Sequence, residues 1–144
     1  MITTVIDTNV FISALMKANT APRALLRRCL LGQVKPLIGN ALYAEYEDIM
    51  AREHVFRNSP VTATEREALF DAFVAQCQWI NIYYRWRPNL QDEADNHLME
   101  LAIAGNAQWL ITGNTRDFRQ HELQFPEIRI VTVAEFLQAL QEAN

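Results

Sequence analysis

The sequence predicts an α/β fold: a three-layer sandwich in which a mainly parallel, roughly five-stranded central sheet is flanked by helices. Short β-prone runs alternate with helical periodicities, and the first run is apolar enough to be covered on both faces. No repeat, low-complexity tract or flexible linker divides the chain. Because 144 residues suit one domain, we expect residues 1–144 to form a single domain.

Asp7 follows the first predicted strand, residues 2–6, which carries hardly any polarity. Open α/β sheets place their ligands beyond the carboxyl ends of the strands, so this position suits a functional carboxylate. The alternative is structural: Asp7 or Asn9 caps the helix that follows. The first strand alone does not decide between the two.

The other elements are predicted from hydrophobic period and from the residues that end each segment. Pro22 suits the first turn of a helix, Gly32 closes that helix, and Pro36 leaves open the place of its strand in the sheet. The predicted elements are helix 10–16, a helix that Thr20 or Ala21 opens and Gly32 closes, strand 34–38, a helix after 39–40, a helix from Thr62 or Thr64 to Gln78, strand 79–84, helix 91–105, strand 108–112, strand 129–133 and helix 134–143.

Composition excludes several classes of function. No apolar run approaches the roughly 20 residues that span a bilayer, and Asp7 and Asn9 interrupt the N-terminal segment where a secretory signal would be apolar. We therefore expect a cytoplasmic protein without a membrane partner. The three histidines, His54, His97 and His121, are scattered and match no nucleophile, which argues against a Ser or Cys triad.

The net charge of −4 argues against bulk nucleic-acid binding, but the charge is unevenly distributed. Residues 1–40 contain one acid, Asp7, and five bases: Lys17, Arg23, Arg27, Arg28 and Lys35. A basic shoulder is therefore predicted close in sequence to Asp7. For each base taken singly, a solvated helix face is the alternative interpretation.

Two further polar clusters lie near predicted element ends. Asp92 stands near the start of helix 91–105, and Asp95 shares a helical stripe with Leu98, so Asp95 faces the sheet. It either assists the cap or holds a cation. Strand 108–112 ends in a second cluster that contains Asn114 and Asp117.

Right-handed crossovers between parallel strands bring these clusters and Asp7 to one edge of the sheet. Two like charges 4 Å apart repel by about 4 kcal/mol at an effective dielectric of 20. Several carboxylates in one cleft are therefore partly protonated or neutralised by cations. Oxygen ligands favour Mg²⁺ or Mn²⁺, and such sites hydrolyse phosphodiesters.

Glu45 and Glu47 lie on opposite borders of the apolar stripe of the helix after residues 39–40. Their spacing does not say which one points into a site. An exposed surface glutamate is the alternative for each.

Four stretches together resemble the PIN-domain family, and most closely its bacterial branch of toxin components of toxin–antitoxin pairs (VapC-like). They are Val5 to Ser13, Glu45 one turn into a helix, Asp92 to Asn96 before an Ala-rich helix, and Leu110 to Asn114 with Arg116-Asp117-Phe118. The likeness covers essentially the whole chain. It implies a single PIN-like nuclease domain, a ribonuclease that cleaves RNA with Mg²⁺ or Mn²⁺.

The resemblance matches Asp7, Glu45 and Asp95 to the acidic metal-binding trio of the family, and thereby favours Glu45 over Glu47. Asp92 is a second acid in the third motif, and Asp117 or Asn114 lies near the fourth acidic position. Asn114 stands where many relatives carry Asp, which weakens the expected hold on a second metal. Supporting side chains are Thr8, Asn9, Thr112 and Asn114; candidate RNA contacts are Lys17, Arg23, Arg27 and Arg116.

The resemblance also implies a homo-oligomer, a dimer or higher, and a small antitoxin as a partner. The alternative is a catalytically decayed module that keeps the fold and binds RNA or a protein. A phosphohydrolase of the haloacid dehalogenase type is disfavoured, because it requires Asp-x-Asp after the first strand and this chain has Asp7-Thr8-Asn9.

Overall fold

The fold is built on one parallel sheet. The computed structural model describes residues 2–82, 93–116, 118 and 125–143, with the backbone only at residues 93–96 and 143. Within these residues, five strands pair in the order β3-β2-β1-β4-β5, and every pairing is parallel. The strands are β1 (Ile2–Ile6), β2 (Val34–Ile38), β3 (Gln78–Trp79), β4 (Trp109–Ile111) and β5 (Arg129–Val131). The predicted α/β sandwich is confirmed.

Helices connect the strands. They are α1 (Thr8–Met16), α2 (Ala21–Leu30), α3 (Asn40–Met50), a 3-10 turn (Glu53–Phe56), α4 (Ala63–Gln76), α5 (Glu93–Ala104) and α6 (Val133–Ala143). Thr62 caps α4 through a reciprocal pair of hydrogen bonds with Glu65, which settles the predicted choice between Thr62 and Thr64. In the described part of the chain, no helix has the length and apolarity needed to cross a membrane.

Both faces of the sheet are covered. Successive residues of a strand point to opposite faces, and Thr4, Val5 and Ile6 are all buried, so β1 has no face in water. Helices α1, α2 and α4 pack on one another, whereas α5 packs on β1, β2 and β4. Crossovers between parallel strands are right-handed. The chain moves across the sheet in one direction from β1 to β3 and in the other direction from β3 to β4, so α5 lies on the face opposite to α1, α2 and α4.

The strand order creates a switch point between β1 and β4. From β1 the chain moves outward to β2 and β3, and it then returns across the sheet to β4 and β5. The carboxyl ends of β1 and β4 are therefore adjacent while their connections lead away in opposite directions. Ligands of open α/β sheets bind at this place.

Two of the predicted strands continue two or more residues past the observed ends, for the same physical reason. The prediction of strand 79–84 is wrong, because β3 is Gln78–Trp79 and residues 80–82 lie outside it. Residues 83 and 84 fall outside the described residues. Its partner β2 ends at Ile38, opposite Trp79, so the ladder has nothing further to pair with. Pro36 does not move β2 to the edge, because β3 pairs only with the two residues that follow the proline.

Strand 129–133 likewise ends early, at Val131, which lies opposite Ile111 at the end of β4. Helix α6 then begins at Val133 rather than at residue 134. The Glu135 side chain accepts a hydrogen bond from the Thr132 N–H, and the Thr132 hydroxyl accepts one from the Glu135 N–H. This capping box stops the strand and starts the helix.

Helix α3 is attached to the end of β1 by Tyr46. This side chain is fully buried, and its hydroxyl donates a hydrogen bond to the Ile6 carbonyl oxygen at 2.8 Å. Its ring packs edge-on against Phe11 of α1. The bond therefore fixes α3 next to the strand that delivers Asp7.

We predict that Tyr46→Phe lowers the free energy of unfolding by about 1–2 kcal/mol, because it removes a buried hydrogen bond and keeps the ring. Tyr43→Phe is the matched control on the same helix, since the Tyr43 hydroxyl makes no hydrogen bond to the described residues. It should change stability by less than about 0.5 kcal/mol. Equal urea-denaturation curves for the two variants would contradict the role given to Tyr46.

Candidate active site

Asp7 lies at the junction of β1, α1 and β4. It is the first residue after β1 and occupies the N-cap position of α1. Its backbone N–H donates to the Ile111 carbonyl oxygen at 3.0 Å, which ties it to the end of β4. The side chain makes no capping hydrogen bond to α1.

The Asp7 carboxylate is instead held by Thr112, the residue after β4. The Thr112 hydroxyl donates to Asp7 Oδ2 at 2.9 Å and accepts a hydrogen bond from the Asn114 N–H at 3.1 Å. Thr112 is fully buried. Two sequence-predicted residues from opposite sides of the switch point are thus in direct contact.

Glu45 approaches from α3 and meets Asp7 at the Thr8 hydroxyl. This hydroxyl donates to Glu45 Oε1 and lies 3.4 Å from Asp7 Oδ1. A hydroxyl has one proton, so the two carboxylates compete for a single donor. Glu47, the other candidate on α3, is exposed.

His97 completes the described contacts, and the sequence analysis did not assign it to a site. Its Nε2 lies 2.7 Å from Glu45 Oε2, and its Nδ1 is buried without a hydrogen-bond partner in the described part of the chain. The sequence carries one signal: Leu101, one turn further along α5, is apolar and shares the stripe of His97. In the structure Leu101 is 2% exposed, so this stripe is part of the buried face. The partner in α3 was not predictable from that spacing.

The electrostatics of the two carboxylates differ. Burial raises the pKa of Asp7 above its ordinary value by more than the Thr112 hydrogen bond lowers it, and the charge of Glu45 raises it further. The nearby Asn9 N–H lowers the pKa of Asp7 without adopting capping geometry. The pKa of Glu45 is lowered, chiefly by its hydrogen bond with His97.

The remaining candidates are only partly described. Asp92 and Asp117 fall outside the described residues, as does the side chain of Asp95, so their convergence on Asp7 stays a prediction. Asn9 and Asn114 are exposed beside the site. No group of three or more metal-ligating side chains occurs among the residues whose side chains the structure describes.

The basic candidates divide into two kinds. Lys17, Arg27 and Arg116 are exposed. Arg23 is half-buried, and its Nε donates to the Ala14 carbonyl oxygen at 2.6 Å, near the end of α1. Arg23 therefore has a structural role in holding α1 against α2.

Comparison with known proteins identifies the family. A family model described as PIN domain matches residues 3–116, and the chain belongs to the PIN-domain family. A chain in the crystal structure of VapBC2 from Rickettsia felis, bound to a DNA fragment from their promoter, shares the fold with a TM-score of 0.58. The match is 17% identical and covers 90% of this chain and 97% of that one. No curated protein matches.

We predict that Asp7→Asn raises the free energy of unfolding of the metal-free protein at pH 7. A carboxyl whose folded pKa is raised favours folding below its unfolded value of 3.8 and loses that contribution as the pH rises through the folded pKa. The asparagine removes the buried charge, so its advantage should shrink as the pH falls toward 3.8.

Chemical denaturation in a chelating buffer at several pH values measures this difference. The control is Asp71→Asn at an exposed carboxylate of α4, which should change stability by less than about 0.5 kcal/mol. A lower stability of Asp7→Asn than of the wild type at pH 7 would contradict the assignment of Asp7 as an unfavourably buried charge.

Proposed function

We propose that this protein is a metal-dependent ribonuclease that hydrolyses RNA phosphodiester bonds with Mg²⁺ or Mn²⁺. The observation that carries the proposal is the meeting of Asp7 and Glu45 at one hydroxyl, Thr8, beside the switch point of the sheet. Membership of the PIN-domain family supports it. Residues 1–144 are proposed to act as one PIN-like nuclease domain.

The donor set fits a hard divalent cation. Asp7 and Glu45 offer oxygen ligands, and among the ion pairs of the described residues neither carboxylate has a Lys or Arg partner. Two carboxylates that share one neutral hydroxyl donor keep negative charge that this donor does not neutralise. Oxygen donors without thiolate are the set that Mg²⁺ and Mn²⁺ prefer.

The side chains then take distinct roles. Asp7, Glu45 and Asp95 would hold the metal, and Asp92 and Asp117 are proposed as additional ligands. A bound Mg²⁺ or Mn²⁺ supplies Lewis-acid polarisation of the phosphate and lowers the pKa of a bound water.

The neighbouring polar side chains would position the carboxylates. Thr112 fixes the orientation of Asp7 through its hydroxyl, and Thr8 sets the distance between Asp7 and Glu45. Asn9 and Asn114, exposed beside them, would orient the attacking water or the phosphate.

RNA would be held by exposed basic side chains. Lys17, Arg27 and Arg116 are exposed and would neutralise phosphates, which gives a sequence-independent hold on the substrate backbone. Arg23 contributes less to this hold, because its Nε is already bound to the Ala14 carbonyl and its Nη2 is buried.

We further propose that the protein is the toxin component of a toxin–antitoxin pair, acts in the cytoplasm, and forms a homo-oligomer. The support is the family assignment together with the shared fold of VapBC2. A small antitoxin protein is the partner that this proposal requires.

RNA cleavage by substituted proteins tests the proposal. We predict that Asp7→Asn and Glu45→Gln reduce Mn²⁺-dependent RNA cleavage to background, because each removes a proposed metal ligand. Glu47→Gln, the matched control two residues from Glu45, should cleave at the wild-type rate because Glu47 is exposed. Cleavage of fluorescent RNA by rigorously purified variants, with folding checked by circular dichroism, measures the outcome. Undiminished cleavage by Asp7→Asn would overturn the proposal.

Calorimetric titration with Mn²⁺ separates this function from a catalytically decayed RNA- or protein-binding module. A nuclease should take up Mn²⁺ in the wild type and in Glu47→Gln, with weaker uptake in Glu45→Gln. A decayed module should show no uptake that depends on the carboxylates.

A further inference from the structure

The two carboxylate oxygens of Glu45 have different protein partners. Oε1 accepts a hydrogen bond from the Thr8 hydroxyl, and Oε2 lies 2.7 Å from His97 Nε2. The carboxylate is thus held at both ends, by α1 on one side and by α5 on the other. A partial rotation of the carboxylate about the last side-chain bond would break both contacts.

The donor in the second contact is His97. An ionised carboxylate can only accept, so Nε2 of the imidazole carries the hydrogen. Nδ1 faces a buried region and has no hydrogen-bond partner among the described residues, so Nε2 is the nitrogen that this ring uses.

Glu45 needs such a restraint. Its side chain is 33% exposed, and a glutamate at that exposure samples several rotamers in water. The His97 side chain is 20% exposed and is attached to a helix whose next residues, Leu98 and Met99, are fully packed. A rigid donor therefore restrains a flexible acceptor.

We propose that His97 is a positioning residue: its Nε2–H···Oε2 hydrogen bond orients the Glu45 carboxylate so that Oε1 stays beside Thr8 and Asp7. The inference rests on the proposed function, since Glu45 is there a metal ligand. Outer hydrogen-bond partners of metal ligands typically change metal affinity by about 10–100-fold when they are removed. His97 supplies such a partner from α5.

Three variants test this role by calorimetric titration with Mn²⁺. His97→Ala should weaken Mn²⁺ binding by about 10-fold. His97→Gln places an amide N–H close to the position of Nε2. The affinity for Mn²⁺ should then return to within about 3-fold of the wild-type value. His54→Ala, the same change at an exposed histidine of the 3-10 turn, should bind as the wild type does.

A double-mutant cycle shows whether His97 acts through Glu45. In a Glu45→Ala background, His97→Ala should cause no further loss of Mn²⁺ affinity, whereas a residue that merely stabilises the fold would weaken binding equally in both backgrounds. The tautomer of His97 can be measured in the metal-free wild type without any substitution. Long-range ¹H–¹⁵N correlation spectra should show that the His97 ring carries hydrogen on Nε2.

The outcomes separate this inference from the function on which it rests. Wild-type affinity in His97→Ala, with weakened affinity in Glu45→Gln, would overturn the positioning role and leave the nuclease proposal standing. Absence of Mn²⁺ uptake by the wild type would overturn both. Should His97→Ala fail to fold, loss of affinity in His97→Gln to the level of Glu45→Gln would overturn the role, and retained affinity would support it.

Discussion

The contact between the ends of β1 and β4 is the constraint on which the site depends. A main-chain hydrogen bond from Asp7 to Ile111 joins the two strand ends, and the Thr112 hydroxyl then fixes the Asp7 carboxylate. Both strands are buried on each face, so their ends cannot shift without disturbing the core. The fold thereby sets one buried charge at a rigid place, and α3 and α5 bring Glu45 and His97 to it.

The pKa shifts of Asp7 and Glu45 are of the kind found at functional sites. Burial raises the pKa of Asp7, which means that the folded protein holds this carboxylate against an unfavourable desolvation. Glu45, joined to Asp7 through one hydroxyl, has its pKa shifted in the opposite direction. Neighbouring carboxylates with opposed shifts are typical of functional sites. A sequence selected for stability alone would place an uncharged residue at the end of β1.

Much of the fold was predictable because its determinants are local. The apolar run of β1, the cap of α4 and the order of elements follow from period and capping residues. The ends of β3 and β5 were not, since each strand stops where its neighbour stops, at Ile38 and Ile111. Such limits depend on register between segments that are distant in the sequence.

The site residues were likewise predictable only in part. The position of Asp7 after a buried strand indicated a functional carboxylate, whereas spacing could not separate Glu45 from Glu47. The structure places Glu45 against Thr8 and leaves Glu47 exposed. His97 was missed because its partner lies 52 residues away on another helix. The predicted roles of Asp92, Asp95 and Asp117 stay predictions.

A shared metal between Asp7 and Glu45 is tested by an anomalous-difference map from crystals of the protein grown with Mn²⁺. One strong peak is expected at the carboxyl edge of the sheet, within about 2.5 Å of an oxygen of Asp7 and of an oxygen of Glu45. A carboxylate oxygen of Asp95 is expected at the same distance from the peak. A map with no peak between these side chains, at a Mn²⁺ concentration that supports RNA cleavage, would contradict the shared metal.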